Sequence, residues 1–116
     1  MHKTYLGTCH CGSVKFTVDT DLGSPIRCNC SLCIRKGAIM LSGKEGRFEL
    51  VKGEKHLGKY QFNTHTAEHY LCKNCGIYTH HKPRTNPKIY RVNAGCILGL
   101  ESLNLQPGLN DGASFS

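Results

Sequence analysis

The sequence predicts a mainly β, small single domain with few short helices. Three observations carry this reading. Several segments alternate polar and apolar side chains at period two. Glycines and Asn/Asp-rich stretches punctuate them at roughly the 8–12-residue spacing of all-β domains. Helix signal is confined to one short stretch.

In chain order, residues 13–19 (Ser-Val-Lys-Phe-Thr-Val-Asp) alternate cleanly. Ser31 can N-cap a short helix running to Arg35 or Lys36 and ended by Gly37, with Cys33 in its first turn. Residues 46–53 form a glycine-bounded strand. Residues 57–63 and 69–71 alternate, residues 77–81 lead away from a cysteine pair, and residues 88–93 form a further strand. β-branched and aromatic side chains recur in these segments. Residues 106–116 carry Pro107, Gly108 and Gly112 and are expected to be irregular or loosely packed. With no linker or low-complexity tract, residues 1–116 read as one domain with its core over about 5–105.

A 116-residue chain builds only a modest core, and a metal site is a common supplement at that size. Eight of the residues are cysteine. The first seven residues hold no apolar signal core, and no apolar run approaches bilayer length. The expectation is therefore a cytoplasmic protein with no membrane span, where clustered cysteines serve as ligands rather than disulfides.

Cys9-His10-Cys11-Gly12 and Cys72-Lys73-Asn74-Cys75-Gly76 are two cysteine pairs, each closed by glycine. A turn that aims two thiolates at one ion often needs a positive φ, which glycine supplies. Two such pairs give the four ligands of a structural zinc, which would staple distant parts of a β domain. The competing readings are buried thiols, and disulfides, for which a bridge between residues two apart is strained. Cys28-Asn29-Cys30-Ser31-Leu32-Cys33 packs three thiols into six residues with no fourth ligand in the segment. Three ligands and an open position are the pattern of a catalytic zinc, unless Cys96 or a histidine closes the site. Three thiolates make zinc a poorer Lewis acid than three imidazoles do. Such a site suits binding an incoming thiol and lowering its pKa better than activating water.

Taken together, Gly7-x-Cys9-His10-Cys11-Gly12-x-Val14, Cys28-x-Cys30-Ser31-x-Cys33, Cys72-x-x-Cys75-Gly76 and Val92-Asn93-Ala94-Gly95-Cys96 resemble the glutathione-dependent formaldehyde-activating enzyme family, which includes centromere protein V. The resemblance runs from about Gly7 to Cys96, with a weaker echo at Asp111-Gly112. It implies a β-tent fold and two zinc ions per chain. It implies a structural zinc on Cys9, Cys11, Cys72 and Cys75, and a catalytic zinc on Cys28, Cys30 and Cys33. It also implies S-(hydroxymethyl)glutathione synthase activity, a carbon–sulfur lyase in reverse, with glutathione as co-substrate.

Of the seven histidines, His10 sits between two ligands and is expected to point away from the ion. His65 and His69 are candidates for acid/base work or a fourth ligand, although a lone strand histidine is ordinarily structural. His80 and His81 adjoin on a strand and face opposite sides, so at most one reaches any given site. Arg27, Arg35 and Lys36 bracket the three-cysteine segment and could meet a carboxylate, though a solvated charge is the commoner role. Cys96 is left over, either buried beside Val92 and Ile97 or reaching the open zinc.

The formal charge of +7 invites a nucleic-acid reading. Seven thiolates and two divalent ions would lower it to about +4. Lys and Arg form no dense run, and five Tyr, four Phe and no Trp give few stacking groups. Small-molecule thiol and aldehyde partners are therefore preferred to nucleic acid. The alternatives are a zinc-stapled binding module and a zinc enzyme acting on another thiol or aldehyde.

Overall fold

The computed structural model describes residues 2–62, 64–84, 86 and 88–115. The strands run in chain order as β1 (Lys3–Thr8), β2 (Lys15–Thr20), β3 (Ile26–Cys28), β4 (Met40–Ser42), β5 (Phe48–Lys52), β6 (Leu57–Tyr60), β7 (Glu68–Cys72), β8 (Tyr78–Lys82), β9 (Arg91–Asn93) and β10 (Gly108–Asn110). One helix, α1 (Ser31–Lys36), lies between β3 and β4. Short 3-10 turns occupy Glu54–His56, Ala94–Cys96, Ser102–Asn104 and Gly112–Phe115. The protein is thus mainly β. No helix among the described residues is long and apolar enough to cross a membrane.

Two sheets result. A three-stranded sheet has the order β1-β2-β5, and a seven-stranded sheet the order β10-β3-β4-β9-β8-β7-β6. All pairings are antiparallel except β10 with β3. β2 shows why its period-two pattern makes a strand: Phe16, Val18 and Thr20 are buried, while the residues between them are only half-buried. The Thr20 hydroxyl donates to the Ser42 carbonyl at 2.8 Å, so its burial leaves no unpaired polar group. Phe16 and Val18 meet Leu41, Val92, Ala94, Cys96 and Ile97 in the main core. Each large apolar side chain buried there stabilises the fold by about 1.5–3 kcal/mol. A second small cluster joins Cys9, Val14 and Cys72, with Leu50 and Leu57 packed against it.

The helix occupies the expected residues, but Cys30 rather than Ser31 is its N-cap. Cys30 has an extended backbone, and its sulfur accepts the Cys33 N–H at 3.3 Å. Gly37 ends the helix at φ 66°. The strand expected over 88–93 starts only at Arg91. Asn86 turns the chain first, taking the Lys88 N–H on its side chain at 3.1 Å and the Ile89 N–H on its carbonyl at 3.4 Å. The strand expected over 57–63 ends at Tyr60, and Asn63 lies outside the described residues. The stretch from Gln106, expected to be irregular, carries β10 and the turn after it. Parallel pairing with β3 fastens it, extended by Gly108 N–H to Pro25 O at 2.9 Å and Asn29 N–H to Asn110 O at 3.1 Å.

Candidate functional site

The turns after β1 and β7 carry the two glycine-closed pairs. Gly12 and Gly76 adopt φ 82° and 81°, the left-handed backbone these turns require. The turns bring the sulfurs of Cys9, Cys11, Cys72 and Cys75 within 4.8 Å of one another. Cys11 Sγ lies 3.6 Å from Cys9 Sγ and 3.7 Å from Cys72 Sγ. Four thiolates around zinc at about 2.3 Å would be separated by about 3.8 Å, so the donor set and its spacing fit that ion. All the cysteines are free thiols. The Val14 N–H donates to Cys9 Sγ and the Asn74 amide to Cys11 Sγ, each at 3.3 Å. Hydrogen bonding to the Ser13 hydroxyl, then to Asn74, lowers the Cys11 thiol to about 5. Burial pushes Cys72 up to about 11. Hydrogen bonding thus favours the thiolate at Cys11, and burial disfavours it at Cys72.

The second group stands where β3 runs into α1. Cys28, Cys30 and Cys33 place their sulfurs within 4.8 Å of one another, and no fourth His, Cys, Asp or Glu among the described residues joins them. Backbone and side-chain donors surround the triad. The Cys30 N–H and the Asn110 amide each reach Cys28 Sγ at 3.5 Å, and Lys36 Nζ reaches Cys33 Sγ at 3.3 Å. Burial acts to raise Cys28, but these hydrogen bonds together hold it below the ordinary thiol value. Burial pushes Cys33 up to about 12 against the Lys36 charge. The triad offers the ligands of a three-thiolate metal site with one position open.

The three sulfurs line a cavity of about 140 Å³, room for roughly five waters. Lys36, Arg84 and Arg91 bring positive charge to it, and Met40, Phe62, Ala67 and Pro83 bring apolar surface. Arg91 Nε donates to Ser42 Oγ at 3.4 Å, and burial lowers its pKa against the pull of the Cys28 and Cys33 thiols. Of the three cations expected near the triad, Lys36 alone lines the cavity. Arg35 instead turns back to the Ser31 carbonyl at 2.6 Å, and Arg27 is exposed.

His69 and His81 both line the cavity, while His65 is exposed and lies outside it. His81 and His80 do face opposite sides. His80 packs between the rings of Tyr70 and Phe48, with centroids at 4.7 and 4.6 Å, and burial lowers its pKa to about 3. His10 is exposed. Cys96 belongs to the main core, outside both sulfur groups, and its thiol lies 3.7 Å from the Tyr78 carbonyl. Sequence reasoning missed Tyr78, Arg84, Arg91 and Asn110. Tyr78 OH lies 2.7 Å from Nδ1 of His69 and 2.7 Å from Nδ1 of His81, with Lys36 Nζ 3.8 Å from the centre of its ring.

A family model described as glutathione-dependent formaldehyde-activating enzyme matches residues 4–109. A Halomonas elongata protein named for the same activity is 35 % identical over 79 residues, 60 % of this chain. The match covers 50 % of that protein, so the chain spans about half the length of this curated relative. A crystal structure of a Rhodobacter sphaeroides protein superposes with a TM-score of 0.84 at 40 % identity, covering 90 % of this chain and 99 % of the other.

Proposed function

The chain belongs to the glutathione-dependent formaldehyde-activating enzyme family, and we propose that it joins the glutathione thiol to formaldehyde at the Cys28, Cys30 and Cys33 cluster. The reaction is that of S-(hydroxymethyl)glutathione synthase, a carbon–sulfur lyase in reverse. The observation that carries this reading is a triad of sulfurs, joined by no fourth ligand among the described residues, that lines a cavity with cationic side chains. Cys28, Cys30 and Cys33 would hold one zinc, and Cys9, Cys11, Cys72 and Cys75 a second, structural one. When bound to the triad, zinc supplies affinity for an incoming thiolate and lowers that thiol's pKa.

The chain's own residues do the rest. Glutathione carries two carboxylates and one ammonium, so Arg84 and Arg91 at the cavity wall suit its anionic ends. Lys36, held between Cys33 Sγ and the Tyr78 ring, offsets the negative charge of three clustered thiolates. The apolar wall formed by Met40, Phe62, Ala67 and Pro83 limits water around the reacting carbon. Holding thiol and aldehyde together converts a bimolecular encounter into an oriented one.

The test is exchange spectroscopy by NMR on a mixture of glutathione, formaldehyde and adduct, with and without zinc-loaded protein. Faster exchange with protein, abolished by Cys30→Ser, is the expected result. Equal rates with and without protein remove the assignment.

A further inference from the structure

Behind the cavity wall, three polar groups are joined in a row. His69 on β7 and His81 on β8 are directly paired across the strands, so their side chains share a face of the sheet. Between them stands Tyr78, 2.7 Å from each Nδ1. A phenol carries one proton, so Tyr78 can donate to only one of these nitrogens. The other Nδ1 must hold its own proton and donate to the phenol oxygen.

Burial keeps each member neutral. It lowers His69 to about 4 and takes His81 well below the ordinary imidazole value, with the Lys36 charge acting in the same direction on both. Burial likewise raises the Tyr78 phenol, so it keeps its proton. Each neutral imidazole has one N–H. One ring is therefore protonated at Nδ1, with a bare Nε2, and the other at Nε2. No hydrogen bond to either Nε2 is made by the described residues, yet among those residues no buried side-chain nitrogen or oxygen lacks a partner. Both Nε2 atoms are thus open to solvent, and the space that both rings line is the cavity. The cavity wall presents one proton acceptor and one proton donor, with the phenol setting them in opposite tautomers.

We propose that His69, Tyr78 and His81 form a proton relay that takes the thiol proton at one imidazole and returns a proton to the aldehyde oxygen from the other. This rests on the thiol-addition reading above. The thiol S–H bond breaks and its proton goes to the bare Nε2. The sulfur electron pair forms the C–S bond while the carbonyl π pair moves onto oxygen. That oxygen takes the Nε2 proton of the second ring. The first ring passes its Nδ1 proton to the Tyr78 oxygen, and the Tyr78 hydroxyl proton passes to Nδ1 of the second ring. One thiol and one formaldehyde become one S-hydroxymethyl adduct with no net proton drawn from solvent, and the two rings exchange tautomers. The exchanged pair is set for the reverse reaction, as a reversible addition requires. His69 and His81 are the catalytic residues of this scheme and Tyr78 the positioning residue.

The first experiment is nitrogen NMR on zinc-loaded protein with labelled histidine. One Nδ1–H shared by the His69–His81 pair, lost in Tyr78→Phe, is expected. The same tautomer in both rings, unchanged by Tyr78→Phe, overturns the relay. The second is the exchange assay. Tyr78→Phe keeps the ring beneath Lys36, so zinc content should hold while protein-dependent exchange falls about 100-fold. An active wild type with an equally active Tyr78→Phe overturns the relay alone. A wild type with no effect on exchange fails the thiol-addition reading and the reaction assigned to the relay with it.

Discussion

Replacing Gly112 by alanine tests how the chain after β10 supports the sulfur triad. The φ of Gly112 lies outside the left-handed region, so alanine costs nothing in backbone conformation there. The effect is one of space. An added Cβ would fall inside van der Waals contact with Cys28 Sγ and stand 3.1 Å from Cys30 Cβ. Contact normally begins at about 3.5–4.0 Å, so the sulfur or the backbone must give way by about 1 Å. The backbone is fastened on both sides: Asn110 pairs with Cys28 across β10 and β3, and the Ala113 N–H donates to Asn29 Oδ1 at 2.8 Å. The sulfur therefore moves, and a zinc ligand tolerates only about 0.2 Å. Affinity at the triad should fall at least about 100-fold, or about 2.8 kcal/mol. The four-sulfur group is untouched and reports that the protein is folded. Elemental analysis after dialysis against graded chelator should show two zincs per chain in the parent and one in the variant. Retention of both zincs at the same chelator concentration would refute the reasoning.

Two further outcomes follow from the packing. Cys96→Ser should leave zinc content unchanged, because Cys96 belongs to neither sulfur group, and should cost about 1 kcal/mol by placing a hydroxyl in the main core; thermal unfolding with metal analysis checks both, and lost zinc would show that the thiol is a ligand. His80→Phe should flatten the acid side of the stability profile. The native protein holds His80 at about 3, whereas the unfolded chain takes up that proton at about 6.5. Below about pH 6.5 the unfolded state binds more protons, so native stability falls as pH drops towards 3. The variant should lack up to about 1.4 kcal/mol of that loss per pH unit. Denaturant titrations between pH 7 and pH 4 measure it, and parallel profiles would refute it.

Residues 13–19 announced β2 because their alternation spans enough residues to distinguish two faces, and residues 77–81 announced β8 by following the second cysteine pair. Because neighbouring residues of a strand face opposite sides, His80 was separated from His81 before any coordinates. β3, β4 and β10 were not legible, since three residues cannot display a period. Their strand character comes from partners distant in the chain, such as Leu109 beside Arg27. The sulfur groups were visible because their members recur at short, glycine-closed spacing, and Lys36 because it follows Cys33 by one helical turn. Arg91 and Asn110 reach the triad only through the β4–β9 and β10–β3 pairings, which leave no local mark. Tyr78 looked like one more aromatic strand residue, and only the β7–β8 register sets a histidine on each side of its hydroxyl.

The parallel seam between β10 and β3 has a consequence for the order of events on the ribosome. Cys75, the last of the four-sulfur group, leaves the exit tunnel 35 residues ahead of Asn110. At bacterial to eukaryotic elongation rates that interval lasts about 2–7 s. Throughout it the nascent chain can bring its four sulfurs together, while Cys28 still lacks the Asn110 amide and Asn29 has nothing to grip at residue 113. Metal arriving during synthesis therefore meets a finished four-thiol group before a finished triad. The four-thiol group can therefore close before the cavity beside the triad is complete.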